Sequence, residues 1–112
     1  MKTVLLDTNF IITCIKQKID FFEELYLEGY QIIIPDSVIK ELDKLNQSSA
    51  LALLKKSDFK KINLIGRNVD NSIIKYAREN PDVVIATLDK EIQKKIKNKK
   101  MIIRNRKKLE IL

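Results

Sequence analysis

Four acids in this chain, Asp7, Glu41, Asp70 and Asp89, are of the type that chelates a hard divalent cation, and three of them occupy positions that invite that chemistry. Asp7 directly follows the apolar run Val4-Leu5-Leu6 and precedes a helical pattern, and Asp89 repeats that arrangement after residues 83–86. The bland reading of both is a helix N-cap. If the two strands are neighbours, both acids meet over one crevice. Asp70 falls on the helical wheel between Ile73, Ile74 and Ala77, so it is expected near the middle of a buried face, where a lone carboxylate is costly unless a cation offsets it. Its bland reading is a cap placed before full burial begins. Glu41 lies at the edge of the stripe formed by Val38, Leu42 and Leu45 and alone reads as amphipathic trim. Together the four offer the several carboxylate oxygens that a hard divalent cation needs.

Other chemistries are excluded by composition. The chain has no histidine and one cysteine, Cys14. Ser-His-Asp and Cys-His catalysis, imidazole ligation and an internal disulfide all fall away, and a structural zinc site is disfavoured. A metal here would be held by oxygen, which points to Mg²⁺ or Mn²⁺. One cysteine, no signal-peptide pattern and no apolar run long enough for a bilayer make a cytoplasmic location, away from the membrane, the expectation.

The net charge of +7 is unevenly placed. Residues 1–56 hold seven basic and eight acidic side chains, whereas residues 57–112 hold fifteen and seven. Residues 94–108 contain nine Lys or Arg and no acid. Such a field favours a polyanion; a Lys-rich solubilising surface is the other reading. Lys94, Lys95, Lys97, Arg104 and Arg106 are the candidates for holding a nucleic-acid backbone, giving affinity without sequence readout.

These side chains must be positioned by regular elements. The chain has 112 residues, two Gly and two Pro, consistent with a single domain over residues 1–112. Strands are expected at residues 3–6, 30–34, 62–65, 83–87 and 101–104, and residues 109–112 either add an edge strand or cover one. Helices are expected from Thr8, from about Asp20, from Asp36 or Ser37, over residues 50–56, from about Asp70 to Glu79, and over residues 90–97. Strands alternating with helices predict an α/β fold, a parallel sheet between helical layers. Ligands then sit beyond the carboxyl ends of the strands.

Four segments resemble the PIN-domain nuclease family: Leu5-Leu6-Asp7-Thr8-Asn9, residues 34–42 (Ile34-Pro35-Asp36-Ser37-Val38-Ile39-Lys40-Glu41-Leu42), Val69-Asp70-Asn71-Ser72-Ile73-Ile74, and residues 84–91 around Thr87-Leu88-Asp89. No single motif decides, but the set covers almost the whole chain in order. The resemblance implies a three-layer α/β/α sandwich with about five parallel strands in the order 3-2-1-4-5. It implies Mg²⁺- or Mn²⁺-dependent endonucleolytic cleavage of RNA that leaves a 5′-phosphate and a 3′-hydroxyl. Asp7, Glu41, Asp70 and Asp89 match the family's catalytic and metal-binding acids, and Asn9 and Thr87 match its residues that orient a ligand water. The partners it implies are RNA and, by branch, an antitoxin or a ribosome-assembly protein. A homodimer would cover the apolar tail at residues 109–112. Two other classes are weighed. A PIN-like scaffold that binds without cutting would not need all four acids. A phospho-acceptor receiver domain needs paired acids at the first strand end, where Leu6 precedes Asp7, and an acid after the third strand, where Gly66-Arg67-Asn68 stands.

Overall fold

The structure, a computed structural model, describes residues 2–112. Its elements are β1 (Lys2–Leu6), α1 (Thr8–Lys16), α2 (Phe21–Leu27), β2 (Tyr30–Pro35), α3 (Asp36–Lys44), α4 (Ser48–Lys55), β3 (Lys60–Ile62), α5 (Val69–Glu79), β4 (Val84–Ala86), α6 (Lys90–Lys95), β5 (Lys100–Arg104) and β6 (Lys108–Ile111). They form one six-stranded sheet in the order β3-β2-β1-β4-β5-β6, parallel except for β6.

The central strand β1 is covered on both faces, which is why it reads as an unbroken apolar run. Val4, Leu5 and Leu6 have no exposed surface. Chain order dictates where the helices lie. From β1 the chain steps outward to β2 and β3, then returns to place β4 on the other side of β1. Right-handed crossovers put the helices of the first leg on one face and those of the second on the other. Accordingly α1, α3 and α4 pack together, as do α5 and α6. Phe10, Ile11 and Cys14 of α1, Val38 and Leu42 of α3, and Ile73 and Ala77 of α5 form the apolar faces buried against the sheet.

The sheet departs from expectation at its β3 edge, whereas at the other edge the chain's end takes the first of its two expected roles, an edge strand. The third strand is Lys60–Ile62, pairing Ile33 with Lys60 and Pro35 with Ile62, rather than residues 62–65. An edge strand has one solvated side and tolerates lysines, which also discourage pairing with other chains. The apolar residues that suggested a strand continue as loop, with Ile65 80% exposed. At the other edge β6 adds an antiparallel sixth strand through a tight hairpin. In that hairpin Asn105 and Arg106 have φ of 54° and 60°, and the Lys107 N–H donates to the Arg104 carbonyl at 3.3 Å. This is the φ signature of a type I′ turn, whose second central position ordinarily goes to glycine.

The return of the chain between β3 and β4 creates a switch in strand order between β1 and β4. Residues Leu6 and Ala86 are in register there, and the Asp7 N–H donates to the Ala86 carbonyl at 3.0 Å. Asp7 and Thr87 therefore stand side by side at the carboxyl end of the sheet.

Candidate active site at the carboxyl edge

Asp7 is 4% exposed and caps α1. Its Oδ1 accepts the Thr8 N–H and its Oδ2 accepts the Thr87 hydroxyl, each at 2.8 Å. The Asp7 carboxyl is pushed up to about 6: burial raises it most, the bonds from Thr87 and Thr8 take back part of that rise, and the charges of Asp70 and Glu41 add to it. Asp7 is thus a buried acid held partly against its ionised form.

Thr87 has no exposed surface, and its hydroxyl works in two directions. It donates to Asp7 and accepts the Asp89 N–H at 3.1 Å. Asp89 caps α6, its Oδ1 accepting the Glu91 N–H at 2.8 Å. One hydroxyl therefore ties the ends of β1 and β4 together. Its single proton is committed to the Asp7 carboxylate, and its oxygen to the Asp89 backbone N–H.

Asp70 corrects another expectation. It is an exposed residue in the first turn of α5, not the centre of that helix's buried face, and it is not the cap. Asn68 caps α5 by accepting the Asn71 N–H at 2.8 Å, so the helix begins at Val69, and its buried face starts at Ser72 and Ile73. The loop leading there passes Gly66, where a Cβ would stand 2.5 Å from the Ser72 Oγ and 3.2 Å from the Ser72 Cα. Glycine lets this loop lie directly on α5. The placement brings the Asp70 carboxyl among the other acids, and its pKa is raised by partial burial, then by Asp89 and Glu41, and by a hydrogen bond shared with Asp89. Glu41 reaches the same space half-buried from α3, on the opposite face of the sheet.

Four acids from four elements thus share one electrostatic neighbourhood, with Asp70 coupled to the other three. The chain has 22 basic side chains, yet among the described residues none forms an ion pair with any of the four; the bridges present engage Asp36, Glu91 and Glu110. The all-oxygen donor set and the uncompensated repulsion fit a hard divalent cation. Among the described residues no three acids already stand as a complete coordination set, so an ion would be held by one or two carboxylates directly and by the others through water, as suits Mg²⁺. Two hydroxyls that the sequence reading passed over belong near this region. Thr8 Oγ1, on the residue after Asp7, and Ser37 Oγ, one helical turn before Glu41, are buried without a hydrogen-bond partner. Ser37 does not cap α3; that helix has no side-chain cap, and Asp36 instead pairs with Lys40 and Lys61. Asn9 is exposed in the first turn of α1.

The basic tract is divided by the topology. Helix α6 runs back from the carboxyl edge, so Lys95 and Lys97 lie toward the amino edge of the sheet, where the Lys95 carbonyl accepts from the Arg78 Nε at 3.1 Å, whereas the Lys94 Nζ reaches back to Glu91 in the first turn of α6 at 3.9 Å. Strand β5 returns to the carboxyl edge and delivers Arg104 and Arg106 there. Arg104 is engaged by Glu110. The structure therefore brings Arg106 toward the carboxyl edge and carries Lys95 and Lys97 away from it, while Lys94 is engaged by Glu91.

A parallel sheet with acids gathered at the β1–β4 switch is the plan of a PIN domain, and a family model described as "PIN like domain" matches residues 4–108. The chain belongs to the PIN-domain nuclease family. It is 32% identical to Ribonuclease VapC4 of Methanocaldococcus jannaschii over 99% of this chain and 97% of that protein. It is 35% identical to the rRNA-processing protein fcf1 of Schizosaccharomyces pombe over 84% of this chain and 53% of that protein, and so spans about half the length of that relative. Among solved structures it resembles that of the PIN domain endonuclease Utp24, with a TM-score of 0.83, 28% identity and coverage of 97% of this chain and 90% of that one. No helix among the described residues is long and apolar enough to cross a membrane.

Proposed function

We propose that this chain is a divalent-cation-dependent endoribonuclease that hydrolyses RNA phosphodiester bonds to a 5′-phosphate and a 3′-hydroxyl. The observation that carries this reading is the acid cluster itself. Asp7, Glu41, Asp70 and Asp89 crowd together without a basic partner, and the buried Asp7 is pushed up to about 6. Fold maintenance alone does not call for such an arrangement.

Asp7, Asp70, Asp89 and Glu41 would together hold Mg²⁺ or Mn²⁺, one or two of them directly and the others through water. A bound ion of this kind supplies a nucleophilic water at neutral pH and positive charge at the attacked phosphate. The protein's own contribution is positional. Thr87 fixes the Asp7 carboxylate and the Asp89 backbone relative to each other, and the Gly66 loop sets α5 so that Asp70 completes the group. The relatives named a ribonuclease, an rRNA-processing protein and an endonuclease support RNA as the substrate. An antitoxin or a ribosome-assembly factor is the partner each branch would bring.

The test is cleavage of a panel of structured RNAs in Mg²⁺ or Mn²⁺ by the intact chain and by Asp7→Asn and Asp70→Asn. Either substitution is expected to lower cleavage by at least about 100-fold, the scale of losing a main electrostatic element. Full activity in both variants, or in EDTA, defeats the proposal. Absence of cleavage by the unmodified chain over the whole panel favours an RNA-binding scaffold instead.

A further inference from the structure

We propose that the β5–β6 hairpin is a clamp for the RNA backbone beside the acid crevice, with Arg106 at its tip as the main phosphate contact and Lys107 as its second. The inference rests on the ribonuclease reading and adds the route by which the strand is held.

The register places the hairpin. Ala86 pairs with Met101, so β5 continues three residues past the level at which β4 ends, and the turn follows. At about 3.3 Å per residue the tip projects roughly 10 Å or more beyond the end of β4. It stands two strand positions from β1, about 10 Å to the side of Asp7. The hairpin is therefore a post flanking the crevice on one side.

The charge at its tip is unpaired. Arg104 is neutralised by Glu110 across the strand pair, whereas Arg106 and Lys107 are exposed and without a carboxylate partner among the described residues. The backbone argues the same way. Arg106 sits at φ 60°, in the left-handed region, at the turn position that glycine fills without strain. A bulky cation at the position that suits glycine best costs the hairpin stability, the kind of local strain that marks a side chain with work to do. The work is supplied by the crevice itself. Four uncompensated carboxylates repel a polyphosphate chain, and charge is screened beyond about 8 Å at physiological ionic strength. Holding the strand there requires direct cation–phosphate contact close by, which the tip can make a few nucleotides from the bond to be cut.

The experiment compares the intact chain with Arg106→Gly and Arg106→Lys. The probe is a fluorescein-labelled single-stranded RNA, titrated by anisotropy in EDTA over a potassium chloride series. Arg106→Gly is expected to bind about 3–10-fold more weakly, with the slope of log K against log salt reduced by about 0.7. In Mg²⁺ its KM for RNA rises while kcat stays within about twofold. Its Tm rises by a few degrees because strain is relieved. Arg106→Lys, which keeps the charge, recovers most of the affinity. Unchanged affinity and slope in Arg106→Gly overturn the proposal. Equal weakness of the Lys and Gly variants does so too, since the effect would then belong to the turn and not to the charge. The two readings fail separately. A chain that binds RNA in this Arg106-dependent way but cuts none keeps the clamp and loses the nuclease assignment. A chain that cuts RNA with Arg106 silent loses only the clamp.

Discussion

Two buried polar residues at opposite ends of the sheet, Asp7 and Asn98, are almost equally hidden, at 4% and 3% exposure. Asn98 lies between α6 and β5, and its amide donates to the carbonyls of Asn80 and Val83 at 2.9 and 2.8 Å. It closes the turn between α5 and β4 and leaves those acceptors satisfied. Asp7 also has two hydrogen bonds, but they leave a charge that burial and neighbouring acids oppose. Burial of a polar group is therefore no mark of function. What separates the two ends is that one is electrostatically closed and the other gathers carboxylates without a basic partner among the described residues.

The largest effect should come from exchanging the two residues' fates. Asp7→Asn should abolish cleavage yet stabilise the metal-free protein. The folded carboxyl titrates at about 6 against 3.8 for the ordinary group. Asp7 therefore costs nothing below pH 4, and stability falls as pH rises from about 4 to about 6 as the unfolded chain ionises first. Above that the penalty is on the order of 3 kcal/mol. Urea melts in EDTA at pH 7 should show the Asn variant more stable, and at pH 3.5 the gap should close. Asn98→Ala should do the reverse, losing about 2–3 kcal/mol with kcat kept at low temperature. A stabilised Asn98→Ala or a destabilised Asp7→Asn would erase the contrast.

Next in size is the response to metal. Millimolar Mg²⁺ or Mn²⁺ should raise the Tm of the unmodified chain by mass action and leave that of Asp7→Asn nearly unmoved. Thermal shift with and without EDTA reads this directly; an equal shift in both proteins would place the ion elsewhere.

Smaller effects should follow from the groups that hold the acids. Thr87→Val keeps the volume but removes the donor to Asp7 and the acceptor for Asp89 N–H. Cleavage should fall about tenfold, with Thr87→Ser restoring most of it, since one positioned hydrogen bond near charge is worth about 1.5–3 kcal/mol at most. Gly66→Ala should lower cleavage by a few-fold and cost about 1–2 kcal/mol, because its Cβ would push on the Ser72 backbone and shift the turn carrying Asp70. Wild-type rates in Gly66→Ala would show that the placement of α5 is not sensitive to that loop.

Much of this was readable from local pattern. The runs Val4-Leu5-Leu6 and Ile32-Ile33-Ile34 read as buried strands, and acids one residue past β1 and three past β4 belong at the carboxyl edge of a parallel sheet. Capping of α1 and α6 by Asp7 and Asp89 and the turn at residues 80–81 were legible for the same reason: each depends on a few adjacent residues. Asp70 shares the helical phase of Ile73, Ile74 and Ala77 but was misjudged because it sits in the first turn, before that face becomes buried. The cap is Asn68, and the loop that fixes it is held by contact between Gly66 and Ser72 rather than by any periodicity. Strand β3 was displaced because an edge position makes Lys60 and Lys61 acceptable, and edge status depends on which strands pair.

What the amino-acid order settles by itself is therefore the inventory: which segments are buried strands, which acids follow them, and that any metal must be held by oxygen. What only the tertiary structure decides is neighbourhood. The chain's return between β3 and β4 sets β1 against β4, brings Glu41 and Asp70 over the same edge from opposite faces, commits the Thr87 hydroxyl to Asp7, and sends Lys97 and Arg106 to opposite ends of the sheet. These are contacts between residues tens of positions apart, and the path of the crossovers, not local propensity, brings them together.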